Sequence, residues 1–346
     1  MLASPASASH RPLRLEWLDA IRGISCLAVV IYHYTTRFHE LYGHDFYVPQ
    51  FLHAGAVGVL VFFIVSGFVI SLTLERGGSV FSFIYNRFSR LYPAYWVAIV
   101  LTYTVVSIAG LPGREVGFGE FVVNFTMLQE FFRVPHVDGA YWTLTVELIF
   151  YFWIVLLWRC RLILHAPYIL VIISLATIAC SHLDRTPTIT AIARLLLLDY
   201  GIYFFSGVVF YQLWSSRYRR PGFAIASIAV AIAAITGQGR DATQYAVILA
   251  AYASFFAISL NAPSINPPRA LTWLGGLTYS LYLVHQNIGY VLIRALNSHI
   301  GGFAAVAAAL GVCVCLAVLL QKLVENPALH WLRMRRSHLR KRAQLD

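Results

Sequence analysis

Asp19-Ala-Ile-Arg-Gly-Ile-Ser-Cys-Leu-Ala-Val-Val-Ile-Tyr-His33 is apolar enough to be most of a membrane span, yet it holds an arginine near its start and a histidine at its end. Arg22 and His33 are eleven residues apart. At about 100° per residue this is three turns plus roughly 20°, so both side chains share one helix face, about 16 Å apart along the axis. Asp19, Cys26 and Val30 lie near the same stripe. A helix in lipid does not turn two ionisable groups toward hydrocarbon, so this stripe faces protein or water.

The rest of the chain fits that setting. Its 346 residues are 59% apolar and only 12% charged, with a mean hydropathy of +0.68. A soluble protein of this size needs more surface charge. Apolar runs long enough to span recur throughout, which predicts an all-α, polytopic membrane helix bundle. Ten spans are expected at 18–37, 54–74, 92–110, 142–158, 167–183, 193–214, 221–237, 243–261, 274–296 and 301–324. They form one transmembrane domain over 18–325, between an N-terminal segment 1–17 and a basic tail 326–346. With the N-terminus in the cytoplasm, inner segments and the tail hold 17 basic residues against 5 in outer segments. That bias places both termini inside. The net charge of +11 is therefore a topology signal, and nucleic acid is not an expected partner. Cys26, Cys160, Cys180, Cys313 and Cys315 show neither metal-ligand spacing nor a disulfide framework. Residues 1–14 lack the apolar core of a signal peptide.

Ionisable residues inside the spans are few: Arg22, His33, Glu147, Arg194, Asp199, His285, Arg294 and Lys322. Arg194, Arg294 and Lys322 lie near span ends, where long side chains snorkel. Glu147, early in the outward-to-inward fourth span, falls at the depth of His33. The pair is expected to satisfy each other, either as a structural contact or as a base with its orienting carboxylate. Thr143 and Tyr151, at i−4 and i+4, continue the Glu147 face. Arg87 and Arg90 stand at the inner start of the third span. With Arg22 they are suited to bidentate phosphate binding, or else to plain inner-face anchoring. Ser66-Gly67 suits close helix packing. His285 lies near the midplane with Tyr282 one turn before it, as a core or a pathway residue. Segment 111–141 reads as an interfacial helix or as a lid over an outward-facing site.

Several separate stretches together resemble the membrane-bound acyltransferase family 3, of the exopolysaccharide and lipopolysaccharide O-acetyltransferase type. They are Leu18-Asp-Ala-Ile-Arg22-Gly with His33, Gly58-Val-Leu-Val-Phe-Phe-Ile-Val-Ser-Gly-Phe68, and Arg87-Phe-Ser-Arg-Leu-Tyr-Pro-Ala-Tyr-Trp96. Trp142-Thr-Leu-Thr-Val-Glu147, Leu277-Thr-Tyr-Ser-Leu-Tyr-Leu-Val-His285 and Val324-Glu-Asn-Pro327 follow in the family's order. The resemblance implies acyl transfer from acyl-CoA, most often acetyl-CoA, to a hydroxyl of a saccharide or lipid-linked saccharide at a bacterial plasma membrane. It implies no permanently bound cofactor or metal. It assigns catalysis to His33 and Glu147 and donor binding to Arg22, Arg87 and Arg90. Asp19, Ser66, Tyr151, Asp199, Tyr282 and His285 are pathway or supporting candidates. Two positions depart from the pattern: Leu148 replaces an acidic residue, and Val284 replaces a tryptophan. Some family members add a soluble hydrolase-like domain, and none is expected here. The alternatives are an acyltransferase acting on a small hydroxylated metabolite such as a macrolide, and a transporter or flippase. Paired broken helices in matching halves, expected of many transporters, are not evident in the sequence.

Overall fold

The computed structural model describes residues 13–184, 186–215, 220–260 and 266–342. Arg11, Arg185, Arg217 and Arg219 of the charge pattern, and most of the N-terminal segment, lie outside the described residues. The elements in order are α1 (Leu13–Tyr32), α2 (Phe38–Tyr42), α3 (Gly58–Glu75), α4 (Val80–Ala109) and α5 (Phe118–Asn124). Then come α6 (Trp142–Arg159), α7 (Ala166–Ser181), α8 (Pro187–Leu195), α9 (Gly201–Trp214) and α10 (Pro221–Thr236). The chain ends with α11 (Ala242–Ser259), α12 (Arg269–Val284), α13 (Gln286–Ile300), α14 (Gly302–Leu320) and α15 (Asn326–Arg342). No strand occurs among the described residues. The protein is an all-α bundle of the multi-pass membrane type, because an apolar helix satisfies its backbone internally.

Six helical runs are long and apolar enough to cross a membrane: Gln50–Glu75, Val80–Ala109, Gly139–Arg159, Leu162–Ser181, Ala242–Ser259 and Gly302–Arg336. Pro221–Thr236 is a shorter apolar helix. The expected first, sixth and ninth spans are absent from this set, and each has a local reason. The first carries the charged stripe and passes at His33–Arg37 into a π-turn, where the Phe38 N–H donates to the His33 carbonyl. The sixth is two helices, separated by a turn in which Leu197 has φ +56°. The ninth is interrupted at His285. There the Asn287 N–H donates to Asp138 at 2.9 Å, and the Tyr141 hydroxyl donates to the Leu283 carbonyl at 2.8 Å. Side chains from outside the helix thus satisfy groups that an unbroken helix would pair with each other. The third span also differs from expectation. Its helix starts at Val80, capped by the Ser79 hydroxyl on the Ser82 N–H at 3.1 Å. Arg87 and Arg90 therefore sit within the helix, not ahead of it.

α1 and α12 pack side by side through glycines. A Cβ at Gly23 would run into the Leu271 carbonyl, and one at Gly275 into the Asp19 carbonyl. Such small-residue contacts let two backbones approach closely in a membrane. This seam lays the Arg22–His33 stripe along the stripe of α12.

The segment between α4 and α6 is neither a plain surface helix nor a simple lid. α5 descends beside α4, with Phe121 stacked on Tyr103 at 4.2 Å. Farther down, the Tyr95 hydroxyl donates to the Asn124 carbonyl at 2.9 Å and the Tyr92 hydroxyl to Thr126 at 3.0 Å. Tyr95 lies fourteen residues before Ala109, about 21 Å along the helix. The segment therefore re-enters the bundle. Irregular backbone at such depth must be satisfied by protein. Asn124, fully buried, does this by accepting from Val137 N–H and donating to the Glu120 and Pro135 carbonyls. Tyr141 packs on Tyr95 at 5.1 Å, so α6 begins at the middle of α4, under this cap.

Candidate active site

Arg22, Arg87, Arg90, Ser66, Thr143, Glu147, Tyr151, Thr278, Tyr279 and Tyr282 line a cavity of about 240 Å³ between α1, α3, α4, α6 and α12. The helical period explains how each element contributes. On α6, Thr143, Glu147 and Tyr151 are spaced by four, so they form one stripe. On α12, Thr278, Tyr282 and His285 follow at i, i+4 and i+7. Every donor-binding candidate from the sequence thus faces one space. Thr278 and Tyr279 were not anticipated, although the α12 spacing carried the signal.

The inner end is cationic. Arg22 donates to the Thr278 hydroxyl at 2.9 Å and stands 3.4 Å from Asp19. Asp19 itself is outside the lining. The Arg87 guanidinium lies over the rings of Phe83 and Tyr151, at 5.7 and 5.8 Å. Its Nε is buried without a hydrogen-bond partner among the described residues. Neither Arg87 nor Arg90 makes an ion pair among them. Three guanidinium groups against the single lining carboxylate, Glu147, make this end a receptor for anions.

Glu147 is not the partner of His33. Its Oε1 accepts from the Ser66 hydroxyl at 3.0 Å and from the Tyr151 hydroxyl at 2.5 Å. The pairing expected from equal depth is therefore replaced by a hydroxyl cradle on α3 and α6. Glu147 also lines the cavity together with Arg22, Arg87 and Arg90, toward the inner end, so the expected match in depth with His33 fails as well.

His33 meets His285 instead, Nδ1 to Nε2 at 2.8 Å, with ring centroids 4.9 Å apart. His285 is fully buried, and its Nδ1 lies 2.9 Å from the Tyr282 carbonyl. The Tyr34 hydroxyl donates to the His285 carbonyl at 2.7 Å. The Tyr282 hydroxyl, bonded to Thr143 at 2.7 Å and to the Ala140 carbonyl at 2.6 Å, separates the histidines from the cavity's outer end. Both histidines sit at helix irregularities, the π-turn and the break. Such irregularities often mark functional positions. Cys26 and Val30 of the stripe are buried in packing. Asp199 lies in the α8–α9 turn and does not line the cavity.

Asp138 pins the outer side of this arrangement, holding the Asn287 and Ala140 N–H groups at 2.9 Å each. Its two oxygens thus tie the start of α6 to the α12–α13 break. Among the described residues no group of three His, Cys, Asp or Glu side chains is placed to hold a metal ion.

The chain is similar in sequence to several proteins over part of its length. Acyltransferase MdmB of Streptomyces mycarofaciens is 28% identical over 151 residues, covering 41% of this chain and 38% of that protein. Nodulation protein 10 of Rhizobium leguminosarum bv. viciae is 30% identical over 116 residues, covering 28% and 31%. An O-acetyl transferase of Shigella phage Sf6 is 27% identical over 146 residues, covering 38% and 43%. The chain thus spans less than half the length of each of these relatives. No solved structure matches it. The family model described as an acyltransferase domain matches residues 15–322, which hold every cavity residue named above. The chain belongs to that acyltransferase family.

Proposed function

We propose that the protein is an O-acyltransferase of a bacterial plasma membrane, moving an acetyl group from acetyl-CoA to a hydroxyl of a cell-surface or exported saccharide. Family membership supports acyl transfer, and the phage relative, named an O-acetyl transferase, supports acetyl as the group. The cationic inner end supports a phosphate-rich donor. Its nucleotide is held by Arg22, Arg87 and Arg90. Its pantetheine arm extends through the cavity toward Tyr282, on the side of His33, which lies about 16 Å from Arg22 along the α1 axis.

The observation that carries the reading is the chain of contacts from Tyr282 through His285 to His33. A carbonyl oxygen only accepts, so His285 Nδ1 bears a hydrogen and its Nε2 a lone pair. That lone pair accepts from His33 Nδ1–H at 2.8 Å. The second nitrogen of His33, Nε2, is then left basic. It takes the proton of the acceptor hydroxyl while that oxygen attacks the thioester carbonyl. The carbon–sulfur bond breaks, and the departing thiolate receives the proton from His33. The products are an ester and free coenzyme A, and no acyl-enzyme is needed. His33 is the catalytic residue in this scheme, and His285 is its positioning residue. Glu147 with Ser66 and Tyr151 shapes the cavity beside the arginines.

The test pairs two measurements: acetyl-CoA consumption by the purified protein in lipid nanodiscs, and the O-acetyl content of surface saccharides after gene deletion. The expected result is consumption that depends on His33, together with loss of defined O-acetyl groups. An inert protein and an unchanged saccharide profile would remove the reading.

A further inference from the structure

The outer side of the histidine pair carries cationic charge that the acid–base scheme does not use. Arg114, in the segment between α4 and α5, reaches down to the α12–α13 break. Its guanidinium lies 6.0 Å from the centre of the Tyr290 ring. A Cβ built on Gly139 would stand 2.5 Å from Arg114 Nη1 and 2.9 Å from Gln286 Oε1. Both groups therefore converge over Gly139.

No carboxylate forms an ion pair with Arg114 among the described residues. Asp138, the nearest buried acid, spends its oxygens on the Ala140 and Asn287 N–H groups. Glu115, next in sequence, accepts from the backbone N–H groups of Leu111 and Arg114. Arg294, over the Tyr42 ring at 5.2 Å, likewise has no ion pair among the described residues. Arg37 is already paired with Glu40 at 2.7 Å. Gln286 is 4% exposed, and its Oε1 is buried with no hydrogen-bond partner. A buried acceptor left unpaired beside a guanidinium that has no ion-pair partner is costly unless a ligand meets both.

We propose that Arg114 and Gln286 form an acceptor subsite for a carboxylate-bearing saccharide. The guanidinium takes the carboxylate through its planar fork, and Gln286 Oε1 accepts from a sugar hydroxyl. The subsite rests on the reading of His33 as the base for a saccharide hydroxyl, and it names the acceptor's chemistry as acidic.

Binding separates the two claims. Methyl β-glucuronide and methyl β-glucoside differ by one carboxylate, and their affinities for the full-length protein in neutral-lipid nanodiscs are measured by calorimetry. The expected result is about tenfold tighter binding of the glucuronide, on the scale of one charge-assisted pair, weakening as salt rises. R114Q should erase the difference, and R114K should keep part of it as a point charge. Thermal melts of both variants check folding, and if R114Q does not fold, R114K against wild type decides. Equal affinities in the wild type, no binding of the glucuronide, or a preference that survives R114Q or is undiminished in R114K overturns the subsite. Acetyl-CoA consumption by wild type and by H33A is followed separately, so failure of the acid–base reading shows there and not in the binding comparison.

Discussion

The two ends of the site are built on opposite principles. The inner end is a charged bowl: Arg22, Arg87 and Arg90 surround a carboxylate that is itself held by hydroxyls, Ser66 and Tyr151. It lies on regular helix and is poised for a multiply charged ligand. The outer end is a tight pair of imidazoles, His33 at a π-turn and His285 at a helix break, beneath a re-entrant cap. There a single proton is placed by single hydrogen bonds. The first end works by summed charge and tolerates imprecision. The second works by geometry and does not.

That contrast orders the expected effects of substitution. His33→Ala should abolish acetyl transfer in a protein that still inserts and melts normally, because it removes the proposed base; transfer at the native rate would end the assignment. His285→Ala should come next. Losing the acceptor for Nδ1–H frees the tautomer and orientation of His33, so turnover should fall about 10²–10⁴-fold, the range for positioned acid–base groups. Its donor Michaelis constant should hardly move, and a change confined to that constant would make His285 merely structural.

Effects at the inner end should be smaller and should fall on binding. Glu147→Gln keeps a partner for Ser66 and Tyr151 but removes the charge among the arginines. Hydrogen bonds to a charged group are worth about 1.5–3 kcal/mol, so a loss of about ten- to a hundredfold in kcat/KM is expected. A loss as deep as that of His33→Ala would instead restore Glu147 to the proton-transfer step. Replacing Arg87 and Arg90 together with Ala should raise the apparent constant for acetyl-CoA by about tenfold or more, with a smaller drop in turnover at saturation. An unchanged constant would return both arginines to topology anchors.

The same contrast explains what was legible in the sequence. Helical period is a local property, so the Arg22–His33 stripe, the Glu147 face and the inward side of Arg87 and Arg90 were all readable. Which residues touch across helices is not local. Glu147 was expected at the depth of His33, yet it lines the cavity with the arginines of the inner end and faces α3, whereas His33 meets His285 at the outer end. The break at His285 was hidden as well. It depends on Asp138 and Tyr141, more than a hundred and forty residues earlier, bonding the helix backbone. The aromatics Phe118, Phe121 and Phe125 suit an interfacial helix and a re-entrant one equally well. Only the contacts with Tyr95 and Trp96 decide between them. The cavity itself was anticipated in composition and not in shape.

The central claim is that His285, not Glu147, sets the tautomer that makes His33 a base. Nitrogen-15 NMR of histidine-labelled protein at neutral pH, with His33→Ala and His285→Ala to assign the signals, tests it directly. The account predicts a neutral His33 ring with hydrogen on Nδ1 and a lone pair on Nε2, a preference lost in His285→Ala and kept in Glu147→Gln. A His33 ring protonated on Nε2 in the wild type, or one whose tautomer follows Glu147, would contradict it.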